Sequence, residues 1–469
     1  MGFGIMKNVD ILFIIPPFHM RNGGGSFFPL GIGYIISSIE KEGYTWGTIN
    51  CTEIISSFYE WDLEILRNVL LEKVREYNPS VIGVGPCITT QLRALQIIAS
   101  ICKKIFPQVP IFAGGPFASI NGQETVFSKY IGIDYLIKGD GEIAVPGVIR
   151  AIQQGEDINS CVYISHIGKK TVNIIEDINI LSFPYRPKEE FARFSERRKS
   201  KGGKQFAMIT SRGCPYRCAY CVSGHMKDHD ISFRRRENKN VIDEMLFLRD
   251  TYGANSIVFY DDLFFVNRAN INEEVETFCN MLVDSNVGMT WQIEMRPDYF
   301  VLLSEDSLKL MYYAGCFQIN LGIEKMSENG LKFLGKTGNR DGLLIKMNVA
   351  RNIGIKLSAT FILGGKDEQE SDVREIVRYA KSLPLEYAHF NPLFIYPGTS
   401  LYNERFSSHE EWVELILNDK LPWGEIVFEN EFLKTGDLLE LVDFAYSEFY
   451  KDTPYANVNM IEDRFNIKK

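Results

Sequence analysis

The sequence predicts an α/β protein made of two strand–helix regions in series, and three observations carry that prediction. Short apolar runs alternate with amphipathic stretches along most of the 469 residues. Nearly every apolar run ends in glycine, proline or acidic side chains. From 401 to 469 the alternation stops and the pattern reads as helix.

The first region covers residues 1–160. "VDILFIIPP" (9–17) is a buried-strand run stopped by two prolines. "PLGIGYIISSIEKEGY" (29–44) repeats apolar residues every three or four positions, with Gly43 placed as a helix stop. "TWGTIN", "SVIGVGPC" (80–87), "VPIFAGGP" (109–116) and "IDYLIKGDGE" (133–142) read as further strands. The amphipathic "LRALQIIASICKKIF" and "IAVPGVIRAIQQG" read as helices between and after them. Strict alternation implies a parallel sheet with helices on both faces. Ligands bind such sheets beyond the carboxyl ends of the strands. The small-residue loops "PPFHMRNGGG", "GPCITTQ", "GGPFAS" and "GDGE" fall there. Four of them at one edge suit a large, flat cofactor. No G-x-G-x-x-G follows the first strand, which counts against a dinucleotide.

Residues 161–204 turn irregular, with Pro184, Pro187, a charged run and Gly202-Gly203, and read as a linker. A second alternating region spans 205–400. Its strands are expected in "QFAMITSRGC", "SIVFYDDLF", "TWQIEMRPDYF", "CFQINLGIEK", "KLSATFILGG" and "HFNPLFIYPGT". Six strands with polar or glycine-rich ends describe a partial (β/α) barrel whose mouth collects the chemistry.

Composition sets the class. A hydrophobic fraction of 45% with 24% charge is ordinary for globular proteins. The net charge of −9 counts against a nucleic-acid partner. The basic clusters at 193–204 and at Arg234, Arg235 and Arg236 read as solvated loops. Nine cysteines leave one unpaired in any disulfide scheme. No targeting pattern opens the chain and no apolar run spans a bilayer, so the reading is a reducing cytoplasm. Cys51, Cys87, Cys102, Cys161, Cys279 and Cys316 are scattered and expected as small core residues.

Cys214, Cys218 and Cys221 are different, because C-x3-C-x2-C closes the first barrel strand. Three thiolates on a [4Fe–4S] cluster leave one iron open to a ligand. A zinc site remains the alternative, with His225 or His229 as fourth ligand. A redox C-x-x-C pair leaves the third cysteine unexplained.

"SRGCPYRCAYC" resembles the cluster-binding signature of the radical S-adenosylmethionine (SAM) enzymes. The similarity continues through "FYDDLFF", "GCFQINLGIEK", "FILGG" and "YPGTSLY". These look like motifs of the subgroup carrying a cobalamin-binding domain ahead of the barrel, and "IPP…PLGIGYI", "GGPFAS" and "GDGE" resemble that domain. The resemblance spans residues 9–403. It implies a Rossmann-like cobalamin-binding domain over 1–160, a linker over 161–204, a partial (β/α)6 radical SAM barrel over 205–400 and a small, mainly helical region over 401–469.

The resemblance also implies roles. SAM would chelate the iron left open by Cys214, Cys218 and Cys221. Asp261 or Asp262, with Glu324, would hold its amine and ribose, Arg296 its carboxylate, and Tyr220 would pack over the cluster. Expected corrin contacts are Pro16, Pro17, Leu30, Gly31, Thr89, Thr90, Gly114, Gly115, Gly139 and Gly141. The Asp-x-His-x-x-Gly motif of many cobalamin domains is missing. His19 lacks its aspartate and glycine spacing, so loop residues or water are expected on the lower face of the cobalt.

The implied activity is methylation of an unactivated carbon of a small-molecule or peptide substrate through methylcobalamin and a 5′-deoxyadenosyl radical. An oxidative cyclase or ring-rearranging enzyme using the same cofactors is the second reading, and a non-catalytic cobalamin carrier the third. An external electron donor such as flavodoxin or ferredoxin is implied. Tyr396, Tyr402 and Trp423 are candidates to line an apolar or peptide-binding pocket, and core packing explains them as well.

Overall fold

The computed structural model describes residues 6–17, 28–56, 63–187, 204–336, 340–418 and 425–453. They divide into two compact units. The first comprises Met1–Pro187, His225–Ile231 and Tyr396–Ile426, and the second Lys188–Gly224, Ser232–Ile395 and Val427–Lys469.

In the first unit, β1 (Lys7–Ile15), β2 (Trp46–Asn50), β3 (Tyr77–Val84), β4 (Ile111–Gly114) and β5 (Tyr135–Ile137) make one sheet in the order β2-β1-β3-β4-β5. Every pairing is parallel. β1 is buried without a break from Ile11 to Ile15, as a strand covered on both faces must be. Helices Leu30–Lys41 and Gly141–Gln153 cover one face and pack Ile32, Ile36, Ala144 and Val148 against Ile11, Phe13, Ile15 and Val81. The chain leaves β1 toward one side for β2 and the other for β3. That reversal opens a crevice between the β1 and β3 ends, where open α/β sheets bind ligands.

The stretch expected as a linker continues this unit as far as Pro187. Leu136 bridges Ser165, Gly139 bridges Asn173, and the Ile175 N–H donates to Asp140 Oδ2 at 2.7 Å. Two later segments complete the unit. Trp412 packs on Phe117 with ring centroids 5.7 Å apart, and the Asn121 N–H donates to His229 Nδ1 at 3.3 Å. Tyr402, expected near a substrate pocket, is instead buried here with its hydroxyl 2.8 Å from His409 Nδ1. The Tyr396 hydroxyl donates to Glu425 Oε1 at 2.7 Å. His19, Trp423, Gly202 and Gly203 lie outside the described residues.

The second unit is built on β6 (Gln205–Met208), β9 (Ser256–Phe259), β10 (Thr290–Met295), β11 (Cys316–Glu324), β12 (Lys356–Leu363) and β13 (Tyr387–Pro392). They form a parallel sheet in chain order, the arrangement of a half-barrel. The two-residue strands β7 (Ser211–Arg212) and β8 (Arg234–Arg235) pair antiparallel beside it. β10 alternates strictly, with Trp291, Ile293 and Met295 buried. Trp291 packs on Phe278 of helix Ile271–Asp284 at 5.8 Å, so this face lies beneath the helices. The opposite face carries a polar row. Gln318 Nε2 donates to Ser358 Oγ (3.1 Å), Ser358 Oγ to Asn320 Oδ1 (2.9 Å), and Asn320 Nδ2 to Glu294 Oε2. The helical C-terminal part, Thr435–Tyr450, closes the last strand, where the Phe390 N–H donates to the Tyr446 hydroxyl at 2.7 Å.

Candidate active site

The three clustered cysteines sit in a loop whose base is pinched by the β7–β8 ribbon. Within it the chain folds back tightly. A Cβ at Gly224 would stand 2.1 Å from the Tyr216 carbonyl oxygen, so only glycine fits there. The Cys221 N–H donates to Cys218 O at 3.0 Å, and the Ala219 N–H to Leu334 O at 2.8 Å, which fastens the loop to the segment after β11. Cys218 is buried, and Cys214 and Cys221 are half-buried. Burial pushes the Cys214 thiol up to about 11 and the Cys221 thiol up to about 12. Against that burial, the backbone at Tyr216 lowers the Cys214 thiol and the backbone at Gly224 the Cys221 thiol. Backbone donors aimed at sulfurs are what a thiolate-held cluster needs.

Among the described residues, no three His, Cys, Asp or Glu side chains converge on a single metal ion. A cubane gives each cysteine its own iron, so its three sulfurs stand apart around a cube. A zinc ion needs them to meet at one point. Of the two histidines held in reserve for zinc, His225 is engaged by Asp228 (3.1 Å) and Ser400 (3.3 Å), while His229 accepts from the Asn121 N–H at Nδ1 and its Nε2 is buried without a partner. Three thiols held in one loop fit a [4Fe–4S] cluster that leaves one iron open.

The two aspartates that end β9 part company. Asp261 is buried, and its Oδ1 accepts from the Thr210 N–H (2.8 Å), Thr210 Oγ1 (3.1 Å) and Ser211 Oγ (2.5 Å). It anchors the entry to the cysteine loop. Asp262 is exposed and accepts from Ser223 Oγ at 3.1 Å. Surrounding protein raises its carboxyl to about 6, and its charge bears on Cys214 and Cys221.

Glu324 ends β11 in the left-handed region, with φ of 62°, at a register shift between β11 and β12. A glutamate held there is strained, and such strain collects at functional sites. Its Oε1 accepts from the Tyr220 hydroxyl (3.1 Å) and from Lys336 Nζ (2.9 Å). Its Oε2 is buried and without a partner, an acceptor waiting for a donor. The strand end is pinned by Arg340, which donates to Ile323 O (2.7 Å) and Lys325 O (2.9 Å).

Arg296 follows β10. Its Nε donates to Asp298 Oδ1 at 2.9 Å and its Nη2 to Asp298 Oδ2 at 3.3 Å. The guanidinium lies 3.9 Å from the Tyr216 ring centroid, with Nη1 4.0 Å from Cys218 Sγ. Sequence reasoning passed over Glu294, Asn320 and Lys336. Glu294 is raised to about 7 by burial, with the charges of Glu324 and Asp262 adding to the effect. Its signal was present: it stands two residues before Arg296 on a strand of period two, on the face opposite Trp291 and Ile293.

In the first unit, the expected corrin contacts fall at the carboxyl ends of the strands. Pro16 and Pro17 follow β1 and are buried, and Gln91 Nε2 donates to Pro17 O at 3.3 Å, joining the loops after β1 and β3. Thr89 is buried and Thr90 half-buried in the short turn after β3. Leu30 is half-buried, and the Gly31 Cα faces open space at the first turn of its helix. A Cβ on Gly114 would meet only ordinary contacts. Gly115 has φ of 119°, and a Cβ there would stand 2.5 Å from the Cys87 N. Gly139 and Gly141 are likewise closed in by Asn173 O (2.1 Å) and Ile35 Cδ1 (2.6 Å). At Gly115 and Gly139, where φ is positive and the close atoms are backbone, the chain's own packing demands glycine; at Gly141 the neighbour is the movable tip of Ile35. Cys87 is a packed core thiol with Sγ 3.4 Å from Val84 O. Pro16, Pro17, Thr90 and Gly114 thus stand at the carboxyl ends of β1, β3 and β4, where an open parallel sheet binds its ligand.

Three anchored thiols at the mouth of a half-barrel, with strand-end carboxylates beside them, define a radical SAM protein. Residues 208–380 match the Radical SAM superfamily and residues 19–149 match the B12 binding domain. The chain carries a radical SAM domain and a B12-binding domain, and its cofactors are a [4Fe–4S] cluster, SAM and cobalamin. An uncharacterized methyltransferase of Pyrococcus horikoshii is 25% identical over 458 residues, 95% of this chain and 93% of that protein. The anaerobic magnesium-protoporphyrin IX monomethyl ester cyclase of Rubrivivax gelatinosus is 22% identical, covering 97% of this chain and 80% of its own. The solved structure of the radical SAM methyltransferase TsrM from Kitasatospora setae, with cobalamin and a [4Fe–4S] cluster bound, shares the fold. Its TM-score is 0.68 at 16% identity over 93% of this chain and 91% of that one. No helix among the described residues is long and apolar enough to cross a membrane.

Proposed function

We propose that the protein methylates an unactivated carbon of a small-molecule or natural-product substrate. The observation that carries this reading is the pairing of an anchored three-thiol loop with the strained Glu324, whose Oε2 lacks a donor. Methyltransferases among the relatives support the direction of the chemistry. When bound, the three cofactors supply a low-potential electron, a hydrogen-abstracting adenosyl radical and a methyl carrier. The chain's part is to hold and shield them. Cys214, Cys218 and Cys221 fix the cluster and leave one iron for SAM. Glu324 Oε2 and Asp262 receive the amine and hydroxyl donors of SAM, and Lys336 and Tyr220 keep Glu324 aimed. The polar row from Gln318 to Glu294 offers hydrogen bonds across the barrel's inner face. Pro16, Pro17, Leu30, Gly31, Thr90 and Gly114 border the corrin crevice. A flavodoxin- or ferredoxin-like donor in a reducing cytoplasm suits an oxygen-sensitive cluster.

The relation to a cyclase across nearly the whole chain favours one second reading, an oxidative cyclisation with the same cofactors. One assay separates the two. Protein reconstituted anaerobically with iron, sulfide and cobalamin is given SAM and titanium(III) citrate. Methyl transfer to cobalamin releases S-adenosylhomocysteine besides 5′-deoxyadenosine. A cyclase is expected to release 5′-deoxyadenosine alone, and that result removes the methyltransferase reading. Alanine at Cys214, Cys218 or Cys221 is expected to abolish 5′-deoxyadenosine and iron binding together.

A further inference from the structure

We propose that Arg296 acts on the cluster rather than on the SAM carboxylate: it holds a permanent positive charge and an N–H against Cys218, and so raises the reduction potential of the cluster. The geometry assigns this role. An arginine that grips a ligand carboxylate presents two parallel N–H groups. Arg296 spends Nε and Nη2 on Asp298, at 2.9 and 3.3 Å. Nη1 is left toward the Cys218 sulfur at 4.0 Å.

The guanidinium cannot easily turn away. It stacks on Tyr216, which lies within the cysteine loop itself, at 3.9 Å. The Tyr216 hydroxyl donates to the Tyr299 hydroxyl (2.7 Å), which donates to Val266 O (3.1 Å). Asp298 does not cancel the charge, because Arg268 shares it with Nε 3.6 Å from Oδ2. Two cations on one carboxylate leave a net positive charge. Arginine stays protonated at any working pH, so this charge is constant. Reduction adds one negative charge to the cluster, and a nearby cation or a donor to a ligand sulfur favours the reduced form.

The inference stands apart from methyl transfer and is tested without turnover. Full-length protein reconstituted with iron and sulfide is titrated anaerobically, without SAM, and the reduced cluster is read by EPR. R296Q is expected to make reduction about tenfold less favourable, a downward shift of ~59 mV for one electron. D298N, which keeps the guanidinium and removes its counter-charge, is expected to shift the potential upward. Mere loosening of the loop would move both variants the same way, and that result overturns the proposal. So does an unchanged potential in R296Q accompanied by lost SAM binding in equilibrium dialysis, which would make Arg296 a SAM ligand. If R296Q holds no iron, D298N decides alone: a rise supports the role, and no change sinks it.

Discussion

At the scale of single residues, two glutamates near the half-barrel mouth behave in opposite ways. Glu324 has one oxygen saturated by Tyr220 and Lys336 and the other buried without a partner. A charge-assisted hydrogen bond to a ligand is worth ~1.5–3 kcal/mol. E324Q is therefore expected to weaken SAM binding by about tenfold or more, with iron content unchanged. Equilibrium dialysis against labelled SAM measures it, and full affinity in E324Q removes Glu324 from the SAM site. Glu294 has Asn320 as donor and is raised from 4.5 to about 7, first by burial and then by nearby carboxylates. Below pH 4.5 the group is protonated in folded and unfolded chains alike, so it contributes no difference. Between 4.5 and about 7 the unfolded chain gives up a proton that the fold retains, and stability falls as pH rises. The cost at full ionisation is on the order of 3 kcal/mol. E294Q is expected to gain stability over the wild type as the apoprotein is taken from pH 5 to 8. Urea midpoints at the two pH values show it, and parallel behaviour would mean the carboxyl is well solvated.

At the scale of elements, adjacent aspartates at the end of β9 do different work, and a single experiment can tell them apart. Asp261 collects three donors from the start of the cysteine loop. Asp262 reaches only Ser223 among the hydrogen bonds described above. D261A is expected to leave those donors unpaired and to lower iron bound per chain after reconstitution. D262N is expected to keep its iron and lose SAM affinity. Equal iron in both would show that the loop does not depend on Asp261. This contrast marks the limit of what the sequence could say. The pair "DD" was legible as a strand end because β9 is a short apolar run cut off by charge. Which aspartate turns inward depends on where Thr210 lies, a partner 51 residues away. The cysteines were legible because their spacing is local, and the strands because burial on two faces leaves an unbroken apolar run, as in β1. The positive φ of Glu324 was not legible, since no glycine marks the turn. Nor were the close backbone approaches at Gly115 and Gly139, whose partners Cys87 and Asn173 lie far away in sequence.

At the scale of the whole molecule, two units with separate cores are expected to melt in two calorimetric transitions. Hydroxocobalamin, bound at the crevice of the first unit, is expected to raise one of them. At a hundredfold excess over its Kd the gain is ~2.7 kcal/mol. A shift of both transitions together, or of neither, would contradict a corrin site confined to one unit. The sequence placed the end of the first region at 160, where alternation stops. Contacts carry that unit on to Pro187 and bring in His225–Ile231 and Tyr396–Ile426. Periodicity is a property of neighbours along the chain, and it has nothing to say about a tryptophan that comes home from residue 412 to pack on Phe117.

That return has a consequence for heredity. A module assembled from three stretches of one gene cannot be exchanged by a single crossover. A recombinant that swapped only the leading third would set its Phe117 against whatever the other parent carries in place of Trp412. Barrel and corrin carrier in this chain must change partners together or by small substitutions, which ties the divergence of one to the divergence of the other.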